Sequence, residues 1–360
     1  MFLKRVVFHS IRGVGRLFFR KHIWLVSDRE KTAGDNGEAF FRYLQDKPVN
    51  SVFAISKDSP DYVRMKEIGK VVDYGSLKYK MLLCISDCHI SSQLIHMESH
   101  SETPQIFLQH GVAEKSIAKM IEPACHKNFY ILCSSRQESL NRCRNDYIIS
   151  DDHIWNLGLP RFDLLENEAK KLVIIAFTWR AELAGSTEEE FKKSYYYSEL
   201  ARIMTDEKLL DELAKRGYKL CIKIHPEMER FKELLPVSHN CSIYTKSYRE
   251  LYKEAAIFIT DYSSCIYDFA YLNKPVIYYQ FDDGRYYKNN PYVDLCGFSY
   301  KENGLGPVVT SYEAFIYELE KCIDNNCAME DEYLNRTKEF FFYHDKNNCE
   351  RVYKKILETI

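Results

Sequence analysis

The chain has 360 residues, 46% hydrophobic and 28% charged, which suits two domains with substantial cores and excludes a disordered chain. A formal net charge of −2 argues against a basic nucleic-acid-binding surface, so no nucleic-acid partner is expected. The 12 cysteines lie scattered in apolar runs without a CxxC, and the closest pairs, Cys84/Cys88 and Cys322/Cys327, lack second pairs at zinc-site spacing. Free thiols in a reducing cytoplasm and no metal site are the expectation.

The chain opens on MFLKRVVFHSIRGVGRLFFRKHIW, residues 1–24. Phe2, Leu3, Val6, Val7, Ile11, Val14, Leu17 and Phe18 recur at helical spacing, with Lys4, Arg5, Arg12, Arg16, Arg20 and Lys21 between them and no acidic residue. A basic amphipathic segment of this kind can lie in the headgroup region of an anionic membrane surface. The same residues also read as an ordinary strand and helix with a solvated basic face, and Gly13 and Gly15 weaken a helix. With no small-residue cleavage site and no long uncharged apolar run, neither a signal peptide nor a membrane-spanning helix is expected.

Short apolar runs then alternate with turn residues and helical patterns: HIWLVS (22–27), SVFAIS (51–56), KVVDYG (70–75), MLLCIS (81–86), QIFLQH (105–110) and FYILCS (129–134). A second set follows at LVIIAFTW (172–179), KLCIKIH (219–225), AIFIT (256–260) and PVIYYQF (275–281). Runs with almost no alternation are strands buried on both faces, which requires a parallel sheet with helices on each side. The pattern predicts an α/β chain of two Rossmann-like domains, 1–160 and 161–335, with a C-terminal helix at 336–360 packing back across the junction. Tyr195–Tyr197 reads as a loop or helix at the second domain's entrance.

Open α/β sheets bind ligands at the carboxyl ends of their strands. Those ends are polar here: Ser27-Asp28-Arg29, His110-Gly111, Ser134-Ser135, Thr178-Trp179-Arg180, His225-Pro226, Thr260-Asp261-Tyr262-Ser263-Ser264 and Asp282-Asp283. In a two-domain arrangement they face a central cleft.

In ITDYSSCIYDFAYLNKPVIYYQFD a strand ends at Thr260 and a helix is expected to start near Ser263. Two hydroxyls beside unpaired helix amides make a diphosphate cradle, and they serve equally as plain N-caps. His110 and His225 each end a strand, where an imidazole is placed as a general base or as a structural hydrogen-bonding group. Gly111 allows close approach beside the first, and Pro226 restricts the second to an extended backbone. Arg180 and Lys115 are candidate phosphate ligands or surface charges. No GxGxxG, P-loop, HExxH, GxSxG or DxD pair occurs, and Asp282-Asp283 reads as ligand-side or structural.

Taken together, these stretches resemble the CDP-glycerol glycerophosphotransferases, which build teichoic acids and capsular polyol-phosphate polymers. The resemblance rests on ITDYSSCIYDFAYLNKPVIYYQFD, HGVAEK (110–115), GLPRFD (158–163), FTWR (177–180), KIHP (223–226), SDREKTAGDNGEAFFRYL (27–44) and a closing Asp345, Asn348, Arg351, Val352 pattern. It implies a GT-B-like fold and transfer of an alditol phosphate, without metal or other cofactor, from CDP-glycerol or CDP-ribitol to a hydroxyl, releasing CMP. It also implies that His110 deprotonates the acceptor, His225 contacts the attacked phosphate, and Arg180, Thr260, Asp261, Ser263 and Ser264 hold the diphosphate. Asp268 falls on the nucleotide side, and Asp28, Arg29, Asp35, Asn36, Gln109, Gly111 and Lys115 on the acceptor side. The acceptor implied by the resemblance is a polyol-phosphate or polysaccharide, lipid-linked, met at the inner face of the bacterial membrane. Gln109 stands where well-known members have Trp, and Val112-Ala113-Glu114 where they have Thr-Pro-Leu, so the departures lie on the acceptor side. Two further readings remain: a GT-B glycosyltransferase or epimerase using a UDP-sugar, and a non-catalytic component of a capsule-assembly complex.

Overall fold

Residues such as Trp24-Leu25-Val26 and Val173-Ile174-Ile175 are almost wholly buried, as strands covered on both faces must be. The computed structural model describes residues 22–94, 103–112, 116–142, 149–288, 295 and 297–360. The basic N-terminal segment, up to residue 21, and Lys115 lie outside the described residues.

The first sheet contains β1 (Ile23–Ser27), β2 (Asn50–Ile55), β3 (Val71–Asp73), β4 (Cys88–Ser91), β5 (Gln105–Phe107), β6 (Phe129–Cys133) and β7 (Ile154–Asn156). Its order is β3-β2-β1-β4-β5-β6-β7, and every pairing is parallel. The second contains β8 (Leu172–Ile175), β9 (Lys219–Ile222), β10 (Cys241–Ile243), β11 (Ile257–Thr260), β12 (Val276–Tyr279) and β13 (Val308–Val309), in the order β10-β9-β8-β11-β12-β13 and again all parallel. In each sheet the strand order reverses at one point, between β1 and β4 and between β8 and β11. Ligands of open α/β sheets bind beyond the strand ends at such a reversal.

One compact unit runs to Leu164 and takes up Phe341–Ile360, and the other is Leu165–Phe340. The second unit's core sets Val173, Ile175, Ile222, Ile257 and Ile259 against Leu200, Ile203, Leu213, Phe315 and Leu319 from the helices. Each such buried side chain contributes roughly 1.5–3 kcal/mol of transfer free energy. The end of the chain is two helices, Asp331–Phe340 in the second unit and Asn348–Thr359 in the first.

The GLPRFD segment and the closing motif form one latch. Asp163 accepts the backbone N–H groups of Asn348 (2.9 Å) and Cys349 (2.7 Å) at the start of the last helix, and the Asn348 amide (2.7 Å). Arg351 reaches Asp345 (2.9 Å), Asn348 (2.6 Å) and the Leu157 carbonyl (3.0 Å). Gly158 has φ +81°, and a Cβ there would stand 1.9 Å from Asn348 Oδ1, so glycine is required.

One strand assignment from sequence is corrected. MLLCIS at 81–86 is not a strand but the end of the helix Leu77–Ile85, whose N-cap Ser76 accepts the Tyr79 N–H. Its buried residues Tyr79, Leu82 and Ile85 are spaced by three, a helical interval that a six-residue apolar run does not reveal. The strand is β4, CHIS at 88–91, where buried His89 and Ser91 hide the apolar pattern. The short strands β7, β10 and β13 also escaped the sequence reading. Tyr195–Tyr197 opens the helix Tyr195–Thr205, capped by Ser194.

Candidate functional site

In the first unit, the loop after β1 and the helix Asn36–Leu44 are tied together by Asp28. Its buried carboxylate accepts the N–H groups of Asp35 (3.0 Å), Gly37 (2.7 Å) and Glu38 (3.0 Å) and the Ser92 hydroxyl (2.5 Å). Burial pushes its pKa up to about 7, with the Asp35 charge adding and the Ser92 and backbone hydrogen bonds opposing. A Cβ on Gly37 would fall 2.5 Å from Asp28 Oδ1, so glycine permits this approach. Asn36 donates to the carbonyls of Gln109 (2.8 Å) and Leu108 (3.2 Å) and accepts the Arg161 N–H (3.1 Å). Asp35 pairs with the Arg161 guanidinium at 2.9 Å. These residues build the frame in which the segment after β5 is set.

Gln109 adopts φ +61°, unusual for a residue with a Cβ. That turn sends its side chain inward, where the amide donates to the Leu132 carbonyl and to Glu138 (3.2 Å) and accepts from Arg142 (3.2 Å). It sends His110 outward. The exposed ring has Nδ1 3.3 Å from the Ser92 carbonyl and 3.4 Å from the Gln93 amide nitrogen. A carbonyl only accepts, so the tautomer that satisfies Ser92 carries its proton on Nδ1 and leaves Nε2 as the basic nitrogen. Crowding by protein atoms lowers the His110 pKa below the ordinary value, the nearby Arg29 and Arg161 lower it further, and the Ser92 hydrogen bond opposes them. At neutral pH the ring is a neutral base.

In the second unit, Arg180 is 1% exposed. Its guanidinium meets Asp261 (2.9 Å), Asp282 (3.0 Å), the Thr178 carbonyl (2.6 Å) and the Tyr195 hydroxyl (3.0 Å). Burial works against its charge, but Asp261, Tyr195 and Asp282 more than offset this and hold the pKa above its ordinary value. Asp261 also accepts the N–H groups of Thr178 and Tyr262, both at 2.7 Å, and Asp282 accepts the Tyr262 hydroxyl at 2.6 Å. Thr260 donates to the Ala176 carbonyl at 2.6 Å. This buried network fastens the loop after β11 to the ends of β8 and β12.

Beyond it, Ser263 and Ser264 are half-buried. The helix begins at Ile266 rather than near Ser263, and its N-cap Cys265 makes no side-chain capping bond. Among the described residues Ser264 makes no capping bond by its side chain, whereas Ser263 makes one cap-like bond to the turn that leads into the helix. Ser263 Oγ accepts the Cys265 N–H at 3.4 Å and donates to its sulfur at 2.9 Å. His225 stacks on Trp179, ring centroids 6.0 Å apart, and its Nδ1 accepts the Glu227 N–H at 3.2 Å. The neutral His225 ring therefore carries its proton on Nε2, the reverse of His110.

A sequence profile of the family described as CDP-glycerol:poly(glycerophosphate) glycerophosphotransferase matches residues 9–358. The chain belongs to this family. It is 32% identical, over 99% of its length, to the minor teichoic acid biosynthesis protein GgaB of Bacillus subtilis (strain 168), and spans 42% of that protein. The chain thus has less than half the length of this curated relative. Its fold is that of the wall teichoic acid polymerase TagF (TM-score 0.70, 18% identity, 99% of each chain covered). A UDP-GlcNAc 2-epimerase from Neisseria meningitidis shares the architecture more distantly (TM-score 0.54, 12% identity, 94% of this chain and 100% of that one). The α/β, GT-B-like pair of Rossmann-like domains expected from sequence is the observed fold class.

The structure thus sorts this glycerophosphotransferase-family chain's candidate residues into exposed groups and the framework behind them. In the first unit His110 and Arg29 are exposed and Gly111 is half-buried, while Asp28, Asn36 and Gln109 are buried and Asp35 is engaged with Arg161. In the second, Ser263, Ser264 and His225 are half-buried, while Arg180, Thr260, Asp261 and Asp268 are buried. Arg180 was expected to hold a diphosphate, and Gln109 to face the acceptor. Both side chains are instead committed to internal partners, because buried charges and amides must be satisfied where they lie. Sequence reasoning missed Ser92, Gln93, Arg161 and Tyr195. Arg161 sits inside the quoted GLPRFD, but a single arginine carries no local signal of its partner 126 positions away.

Proposed function

We propose that this chain transfers an alditol phosphate from a CDP-activated donor, CDP-glycerol or CDP-ribitol, to a hydroxyl of a teichoic-acid-like or capsular acceptor, releasing CMP. The observation that carries the reading is His110: an exposed neutral imidazole directly beyond β5, with Nε2 basic and its pKa depressed. The acceptor hydroxyl attacks the phosphorus bearing the polyol. Its O–P bond forms as the bridging P–O bond breaks, CMP leaves, and the proton passes to His110 Nε2. His225, with its proton on Nε2, donates to an oxygen of the attacked phosphate, and the hydroxyls of Ser263 and Ser264 donate to the diphosphate. Asp268 lies on the nucleotide side. Arg180 supports this site from behind by fixing Asp261 and Asp282. On the acceptor side, Arg29 and Arg161 supply positive charge suited to a polyol phosphate.

No metal or other cofactor takes part in this reading. Among the described residues no helix is long and apolar enough to cross a membrane. Contact with the inner face of the membrane, where a lipid-linked acceptor would be met, is assigned in this proposal to the basic segment 1–24.

The test is incubation with CDP-glycerol, CDP-ribitol and a UDP-sugar in turn, each with and without a polyol-phosphate acceptor. Acceptor-dependent CMP release from one of the CDP-alditols is the expected result. UDP release, or no turnover of any donor with a range of acceptors, would overturn the proposal.

A further inference from the structure

Away from the residues just described, at the amino-terminal end of the second sheet, two cysteines meet. The helix Tyr312–Asp324 ends at Asn325, and Asn326 and Cys327 take φ values of +53° and +54°. The Cys327 N–H then donates to the Cys322 carbonyl at 2.9 Å and the Asn326 N–H to the Ile323 carbonyl at 3.0 Å. This is a Schellman ending, which brings the third residue from the helix end against the second residue beyond it. Such positions usually hold two apolar side chains. Here both are thiols, held on one turn by the Cys327 N–H to Cys322 carbonyl bond.

Cys327 packs at the edge of the second unit's core, and polar groups also surround its sulfur. Tyr218, immediately before β9, places its hydroxyl 3.1 Å from Cys327 Sγ. Lys171, immediately before β8, holds its ammonium 5.5 Å from the centre of the Tyr218 ring and adds positive charge. The neighbouring Cys322 thiol is the largest influence drawing the Cys327 thiol down to about 7, with Tyr218 and Lys171 acting in the same direction against burial. The nearness of Cys327, followed by burial, pushes the Cys322 thiol up. Both residues are half-buried, and Asn326 and Ala328 beside Cys327 are exposed, so small reagents have access. Cys322 also lines a cavity of about 220 Å³ with Pro275, Ile277, Leu305, Met329 and Tyr333.

We propose that Cys322 and Cys327 form a reversible dithiol–disulfide site, in which Cys327 attacks a small-molecule disulfide and Cys322 resolves the adduct. The Cys327 thiolate attacks one sulfur of R–S–S–R, the S–S bond breaks, and one RS⁻ leaves. Cys322 then gives its proton to solvent and attacks the Cys327 sulfur of the mixed disulfide, expelling the second RS⁻. The protein dithiol loses two electrons and the small disulfide gains them. The turn holds the two residues next to each other through the Cys327 N–H to Cys322 carbonyl bond. The tyrosine and lysine act through Cys327 and are positioning residues.

The full chain, C322S, C327S and Y218F are each treated with 5,5′-dithiobis(2-nitrobenzoic acid) at pH 7, with release of thionitrobenzoate followed in time and the peptides mapped by mass. In the unsubstituted chain a fast phase releases two thionitrobenzoates and leaves a 322–327 disulfide that dithiothreitol reopens. It runs roughly 5–10 times faster than the other accessible cysteines, the advantage of a thiolate populated at pH 7 after allowing for its lower intrinsic nucleophilicity. C322S releases one and keeps the mixed adduct on Cys327, C327S lacks the fast phase, and Y218F slows it. The proposal is overturned if Cys327 reacts no faster than the other cysteines, or if its mixed adduct persists with Cys322 present. The peptide map of the unsubstituted chain decides the second point even if a variant fails to fold.

Discussion

Arg180 and Asp261 form an ion pair of 2.9 Å in which both side chains are withdrawn from solvent, at 1% and 0% exposure. Asp282 meets the same guanidinium at 3.0 Å, so one buried cation serves two carboxylates. R180A should therefore destabilise the second unit by about 3–5 kcal/mol, the cost of stranding buried charge. R180K restores the charge without the planar fork and should recover only part of this. Urea unfolding without donor checks the point. If R180A left the unfolding midpoint unchanged but abolished donor binding, Arg180 would be a ligand residue and the framework role would fall.

The tautomer of His110 gives a pH prediction. The base works deprotonated, so activity is lost as pH falls through its pKa, and the depressed pKa puts that acid limb below the ordinary value of 6.5. H110A should lose at least ~10²-fold in turnover while CDP-glycerol still binds. R29A removes one of the charges that depress the pKa, so the limb should move upward. The measurement is kcat/KM against pH for the unsubstituted chain and R29A. A limb that stays put or moves down contradicts the link between Arg29 and His110.

How much of this was legible in the sequence differs residue by residue. Nearly unbroken apolar runs such as LVII at β8 revealed their strands because burial on both faces leaves no room for polar alternation. β4 was missed because His89 and Ser91 are buried polar residues whose partners lie elsewhere: His89 at the Leu83 carbonyl, Ser91 at Ser27. Arg180 shows the limit of reading a site from strand ends. Sequence places it beyond a strand, but nothing local says whether the guanidinium turns outward or toward carboxylates at 261 and 282. Gln109 is similar, since its direction follows from a positive φ that composition does not announce.

The serines after β11 can be tested without disturbing that framework. Ser263 makes only a long 3.4 Å bond to the Cys265 N–H, the N-cap Cys265 makes no side-chain capping bond, and both serines are half-buried. Replacing Ser263 and Ser264 together by Ala should leave the urea midpoint within about 0.5 kcal/mol, as for substitutions away from buried networks. Donor affinity should fall by roughly tenfold or more, since a hydrogen bond to a charged group is worth about 1.5–3 kcal/mol. Equilibrium binding of CDP-glycerol to the double variant measures this. A dissociation constant equal to that of the unsubstituted chain would remove the serines from the donor site.

The latch at Asp163 predicts a failure confined to the first unit. Its carboxylate takes two N–H groups at the start of the helix Asn348–Thr359 and the Asn348 amide, all at 2.7–2.9 Å. D163A leaves the backbone N–H groups of buried Asn348 and Cys349 unpaired, while the Asn348 amide keeps the Asp345 carbonyl at 3.3 Å, and should cost about 1–3 kcal/mol. G158A approaches the same contact from the other side, where a new Cβ meets Asn348 Oδ1 and the backbone sits at φ +81°. Both variants should free the last helix, so limited proteolysis should cut within residues 341–347 sooner than in the unsubstituted chain. Because residues 158–163 also carry Arg161, held by Asn36 and Asp35, loosening them should weaken acceptor use more than donor binding. Equal losses in both would mean that the latch stabilises the whole chain and has no particular tie to the acceptor side.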